Sequence, residues 1–215
     1  MACAKKNIIN HIHLRLIGYF YKKKRMRSVL VIDNHDSFVH NIIHLFKEGG
    51  ADRVVRIYEE QYCFEFATAF DCIVLSPGPG LPHHSKGMMQ CLEDCAQSHK
   101  ILGICLGHQA IVAHFGGQLI QVPHIKHGHK ATVYVKDNKD PNYKYLGSVF
   151  NAALYNSWTT CPKQIPDDLA LSAVDESGGV MSVYHRTLPV FGMQFHPESV
   201  VSDCGKAIIR AFLEI

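Results

Sequence analysis

The feature that most restricts this chain is the stretch Ile101-Leu102-Gly103-Ile104-Cys105-Leu106-Gly107-His108-Gln109, where an apolar run ends at a cysteine set between two glycines. A helical pattern (Ala110, Ile111, Val112, Phe115) begins directly behind it and is closed by Gly116-Gly117. Gly-x-Cys-x-Gly is the thiol form of the nucleophile elbow, a sharp strand-to-helix turn that lifts one side chain clear of a sheet. Such a turn strains the backbone of its central residue and crowds both flanks, so the neighbours must be small. A sulfur at a helix N-terminus is also favoured as thiolate, the reactive form. A buried structural cysteine before a glycine turn would look the same locally, and the remainder of the chain has to decide between the two.

Upstream, the pattern predicts an open parallel sheet. Ser28–Asp33 is a continuous apolar run, as expected of a strand covered on both faces. It leads into Asn34-His35-Asp36-Ser37-Phe38, where Ser37 can cap an amphipathic helix over Phe38–Lys47 that Gly49-Gly50 stops. Val54–Tyr58, Asp71–Ser76 and Lys100–Ile104 read as further strands, with a helix over Lys86–Gln97. Strand and helix alternate at the spacing of crossover units, and ligands in such sheets bind beyond the carboxyl ends of the strands. Ser76-Pro77-Gly78-Pro79-Gly80 falls at such an end, a stiff loop whose glycines leave backbone N–H groups open to a ligand or an oxyanion.

Beyond Gly117 the character changes to short β segments: Gln118–Val122, Ala131–Lys136, Val149–Leu154, Leu169–Val174, Val180–Tyr184 and Val190–Phe195. The polar tract Lys136–Lys144 reads as a surface loop. A closing helix is predicted from about Ser202 to Leu213. The fold class is therefore α/β: an open, mostly parallel sheet with helices on both faces, plus a short antiparallel region.

Composition narrows the function classes. Of 22 Lys and Arg, eight lie in residues 1–27, which hold no acid, so the body from residue 28 carries fourteen basic against nineteen acidic groups. A mildly acidic body argues against binding nucleic acid. The basic segment 1–27 is apolar only in interrupted patches, too short for a membrane span, and is expected to be an extension outside the fold, with Met26 as a natural start and a transit peptide as the alternative. Residues 28–215 then form one domain. Eight scattered cysteines without Cys-x-x-Cys spacing point to reduced thiols in a cytoplasmic protein. The fifteen histidines cluster only at His11/His13, His83/His84 and His124, His127, His129, without a matching carboxylate or cysteine set, so no metal site is expected.

The last strand runs into His196-Pro197-Glu198. Residues two apart in extended chain point the same way, so Glu198 can reach the region of His196 while Pro197 stiffens the link. Thiol, imidazole and carboxylate are the set required for acyl transfer through a covalent intermediate.

Taken with Asp33-Asn34-His35-Asp36-Ser37-Phe38, the motifs Ser76–Gly80, Gly103–Gln109 and Gln194–Ser199 resemble those of class I, triad-type glutamine amidotransferases. The likeness extends over about Met26 to Ile215 and is greatest to the small glutaminase subunits of anthranilate synthase and aminodeoxychorismate synthase. It implies that Cys105 is the nucleophile, His196 the general base and then acid, and Glu198 the partner that orients it. It further implies an oxyanion hole from the backbone N–H groups of Gly78 and Leu106. A glutamine pocket is implied from Gly78, Pro79, Gly80 and Gln109, with backbone groups of Ser157 and Trp158. L-Glutamine would be the substrate, and ammonia would pass to a larger chorismate-binding synthase subunit. No cofactor is implied in this chain, Mg²⁺ being expected only in that partner. The chain departs from the family pattern at Tyr155-Asn156-Ser157, where the family usually has Tyr-His-Ser. It departs again at His127-Gly128-His129-Lys130, where the family usually has His-Gly-Lys.

Overall fold

The computed structural model describes residues 27–125 and 127–215. The expected extension therefore lies outside the described residues, apart from Arg27. The elements run β1 (Ser28–Asp33), α1 (Val39–Glu48), β2 (Arg53–Tyr58), the short α2 (Phe64–Ala67), β3 (Cys72–Leu75), α3 (Lys86–Cys95), β4 (Lys100–Ile104) and α4 (Leu106–His114). There follow β5 (Leu119–Gln121), β6 (His129–Val135), β7 (Val149–Leu154), β8 (Trp158–Thr160), β9 (Leu169–Asp175), β10 (Val180–His185), β11 (Val190–Met193) and α5 (Gly205–Glu214).

Among the described residues nine strands form one sheet in the order β2-β1-β3-β4-β11-β10-β9-β6-β7, and β5 and β8 make a separate two-stranded ribbon. From β2 to β11 every pairing is parallel. From β11 onward every pairing is antiparallel. The alternation of side chains along a strand explains why the parallel strands are apolar throughout. In β1, Val29 and Val31 join a core layer with Ile42 and Phe46 of α1 and Ile208, Ile209 and Phe212 of α5. Leu30 and Ile32 face the opposite layer, with Met88, Cys91 and Leu92 of α3 and Leu106, Ala110 and Ile111 of α4. A fully buried aliphatic side chain of this kind stabilises a fold by roughly 1.5–3 kcal/mol, so both layers hold the parallel half in place.

Two local expectations are corrected. Ser37 does not cap α1: the cap position is Phe38, which makes no side-chain cap bond. The turn before it is closed instead by Asp33, whose Oδ1 accepts from the Asp36 N–H at 3.0 Å. The tract 136–144 is not wholly a surface loop, because Asp140, Asn142 and Tyr143 are buried. Asp140 Oδ1 accepts from the backbone N–H and side-chain amide of Asn142 at 3.0 and 2.8 Å, and Tyr143 donates to Ser182 Oγ. A polar tract can be buried when its groups satisfy one another. The ribbon strand β8 has no counterpart among the expected strands; three residues leave too short a pattern to read.

Candidate active site

The site lies along the carboxyl ends of β1, β3, β4 and β11. Cys105 follows Ile104 directly and has φ 52°, ψ −100°, a conformation that L residues with side chains rarely adopt. The flanking glycines are required by packing. A Cβ on Gly103 would collide with the backbone of Gly107, and one on Gly107 with the carbonyl oxygen of Leu75 in β3. Thus α4 sits directly on the ends of β3 and β4 and pins the thiol at its own first turn. The helix is further fixed by His108, fully buried, whose Nε2 pairs with Thr160 Oγ1 at 2.9 Å. Burial pushes the His108 imidazole down to about 4, so it is neutral and structural.

β11 lies beside β4 in parallel, with Met193 opposite Ile104. The chain leaves β11 through Gln194 and Phe195 and is caught at His196, whose N–H donates to the Ala153 carbonyl at 2.9 Å. Its own carbonyl accepts from Ser202 Oγ. His196 Nδ1 pairs with Glu198 Oε1 at 2.6 Å, and both side chains are buried. This fixes the ring so that Nε2 is the nitrogen free for proton transfer, and among the described residues Nε2 has no hydrogen-bond partner. Burial alone would lower the His196 pKa. The negative charge that the Cys105 sulfur carries when ionised, together with the Glu198 carboxylate, outweighs it and holds the imidazole well above its ordinary value. The Tyr155 ring stands edge-on to the imidazole, 4.9 Å between centroids.

Gly78, Pro79, Gly80, Cys105, Leu106, Gln109, Tyr155, Asn156, Ser157 and Trp158 line one cleft of about 170 Å³. The structure thus brings together the predicted nucleophile, the two oxyanion candidates and the six glutamine-pocket candidates. Gln109 Nε2 donates to the Trp158 carbonyl at 2.8 Å, and Asn156 Nδ2 donates to the same oxygen at 2.9 Å. That carbonyl is therefore committed within the protein, and Asn156, itself on the cleft wall, helps to hold it. A second cavity of about 160 Å³ lies against His196 and Glu198, lined also by Phe38, Asn41, Ser199 and Val200; it shares Tyr155 with the first. His127 and His129 show no joint site: the His127 ring packs edge-on against Tyr155, and His129 opens β6. Among the described residues, no group of three or more His, Cys, Asp or Glu side chains is placed to hold a metal ion.

Three residues that sequence reasoning quoted only within motifs prove to be part of the architecture. Asn34 is buried and ties the end of β1 to the Pro-Gly loop, its Nδ2 donating to the Ser76 carbonyl at 3.1 Å and its N–H to Ser76 Oγ at 2.9 Å. Asp36 lies near enough to His196 and Glu198 to interact with both charges. Gln194 is fully buried and donates through Nε2 to Cys105 Sγ at 3.6 Å. The only advance signal was their position inside or beside strand-end motifs.

The family model described as Glutamine amidotransferase class-I matches residues 30–215, which include all of these strand ends. The chain belongs to this family. A Mycobacterium tuberculosis protein named anthranilate synthase component 2 is 37% identical over 189 residues, covering 86% of this chain and 81% of that protein. A Bacillus subtilis relative named aminodeoxychorismate/anthranilate synthase component 2 is 31% identical over 187 residues, covering 86% and 95%. Among solved structures, a Thermoplasma acidophilum protein provisionally described as a GMP synthase subunit superposes with a TM-score of 0.79 at 26% identity, covering 88% of this chain and 94% of that one.

Proposed function

We propose that this amidotransferase is the glutaminase subunit of a chorismate-using synthase, hydrolysing L-glutamine and delivering ammonia to a larger partner. The observation that carries the chemistry is the strained Cys105 at a helix N-terminus, close enough to interact with a buried imidazole whose Nδ1 is bound to Glu198. His196 Nε2 takes the thiol proton, and the sulfur attacks the side-chain amide carbon of glutamine. The oxyanion is held by the N–H groups of Gly78 and Leu106, where one such donor is worth about 3 kcal/mol. The imidazolium gives its proton to the departing nitrogen, ammonia leaves, and a γ-glutamyl thioester remains. Water, deprotonated by the same imidazole, attacks that carbonyl; glutamate departs and the thiol is restored. Every step uses groups of this chain, and no cofactor is assigned to it; Mg²⁺ is assigned to the synthase.

The names of the relatives support anthranilate as the product, with the Bacillus subtilis relative supporting 4-amino-4-deoxychorismate as the alternative or additional one. Ammonia is useful to an acceptor only while unprotonated, so a protected exit is required. The cavity behind Tyr155, against His196 and Glu198, supports an exit there toward the partner. A different acceptor, such as a nucleotide, is the second reading, since the Thermoplasma acidophilum structure is described as a GMP synthase subunit; its lower identity, 26% against 31–37%, favours the first. A docking role without catalysis is the third.

Cys105→Ser and Cys105→Ala are expected to abolish glutamine-dependent synthesis by the assembled complex while leaving synthesis from ammonium salt intact. Loss of both activities in a folded complex would overturn the assignment. Stoichiometric labelling of Cys105 by a glutamine-like electrophile separates the catalytic readings from the docking one, and the acceptor used by the captured partner separates the first two.

A further inference from the structure

Gln194 is fully buried one residue past β11, and its place in a chain of amides is fixed without ambiguity. The Trp158 carbonyl can only accept, so the nitrogen of the Gln109 amide must face it, at 2.8 Å. That nitrogen carries a second hydrogen, and it reaches Gln194 Oε1 at 3.1 Å. The oxygen of Gln194 is thereby committed, which leaves its amide N–H pointing at Cys105 Sγ, 3.6 Å away. Polarity runs one way, from a backbone carbonyl that cannot turn round to the sulfur.

We propose that Gln194 is a further catalytic residue of this site, a preset N–H donor that stabilises the Cys105 thiolate and is aimed by Gln109. The inference deepens the glutaminase reading and rests on Cys105 being its nucleophile. Cys105 is only 6% exposed, so a buried donor matters more here than at an exposed thiol. Because Gln109 also lines the cleft, the group aiming the donor is one that an occupant of the cleft would touch. Glu198 does not fill this role, since it is engaged with His196 Nδ1.

The test measures alkylation of Cys105 by iodoacetamide in the full chain across pH, followed on the Cys105 peptide by mass spectrometry. Gln194→Met keeps the length without the donor, and Gln194→Glu keeps the shape but sets a carboxylate against the sulfur. Loss of a hydrogen bond to a charged group lowers the thiolate fraction about ten- to a hundredfold, and because the more basic thiolate is the better nucleophile, alkylation at pH 7 is expected to slow by about three- to tenfold for Gln194→Met. Gln194→Glu should be slower still, and the deficit of both variants should disappear as the pH rises far enough to ionise the thiol in each. Profiles that superimpose on the unmodified one, in a variant that retains its cooperative melt, would overturn the proposal. Should one variant fail to fold, the other decides. Alkylation reads the surroundings of the sulfur whether or not Cys105 attacks glutamine, and Cys105→Ser tests the latter, so the two ideas fail separately.

Discussion

At the scale of single residues, the site is a set of groups held away from their ordinary states. Asp36 shows the cost most directly: burial, with a smaller push from Glu198, raises its carboxyl to about 6. In the unfolded chain it titrates near 4. Above about pH 6 the group is ionised in both states and the fold bears the burial penalty. As the pH falls from about 6 toward 4, only the folded protein takes up the proton and the penalty disappears. Asp36→Asn is therefore expected to raise the melting temperature above about pH 6 and to lose that advantage by about pH 4, as thermal denaturation across pH would show. A gain that does not vary with pH would mean that ionisation of Asp36 is not the cause. Cys105, His196 and Glu198 were legible as a chemical set because each type is recognisable beside its glycine or proline. Gln194 and Asn34 were not: an amide has no characteristic spacing, and its value depends on which strand becomes its neighbour.

At the scale of elements, the strand-to-helix turn β4–α4 dominates. Gly107 touches the carbonyl of Leu75 so closely that one methyl group forces α4 off the sheet. Gly107→Ala is expected to cost about 1–3 kcal/mol and to reduce glutamine hydrolysis by more than the lost stability explains, because the sulfur moves with the helix. Gly147→Ala is the control: a Cβ there would meet nothing nearer than 4.0 Å and is expected to stay within about 0.5 kcal/mol. Urea denaturation and turnover of both variants check this. The alternation of apolar strands with helices made the parallel half readable, since burial on both faces leaves an unmistakable run. The ribbon strand Trp158–Thr160 and the buried turn Pro141–Tyr143 were not readable, because each is stabilised by distant partners: Leu119–Gln121 for one, Ser182 for the other.

At the scale of the whole molecule, one sheet is divided between two kinds of work. The parallel half carries the Cys105 thiol and the His196 imidazole, while the antiparallel half supplies β7, from which Ala153 steadies His196. Among the described residues no helix is long and apolar enough to cross a membrane. The cavity behind Tyr155 opens beside Val200, which is 98% exposed, and Phe38, which is 46% exposed. If ammonia leaves there, the synthase must cover that rim. Val200→Asp is expected to weaken the complex at least tenfold without changing the melting temperature of the isolated glutaminase chain, as titration calorimetry against the purified synthase would measure. Unaltered affinity would place the exit elsewhere.

The side-by-side pairing of β4 and β11 has a wider consequence. The Cys105 thiol and the His196 imidazole ride on adjoining rails whose relative position is set by backbone ladders in the deepest part of the molecule, not by the exposed rim. On the proposed glutaminase reading, insertions and exchanges around that rim can therefore accumulate and redirect the released nitrogen to a new acceptor without retuning the reaction that frees it.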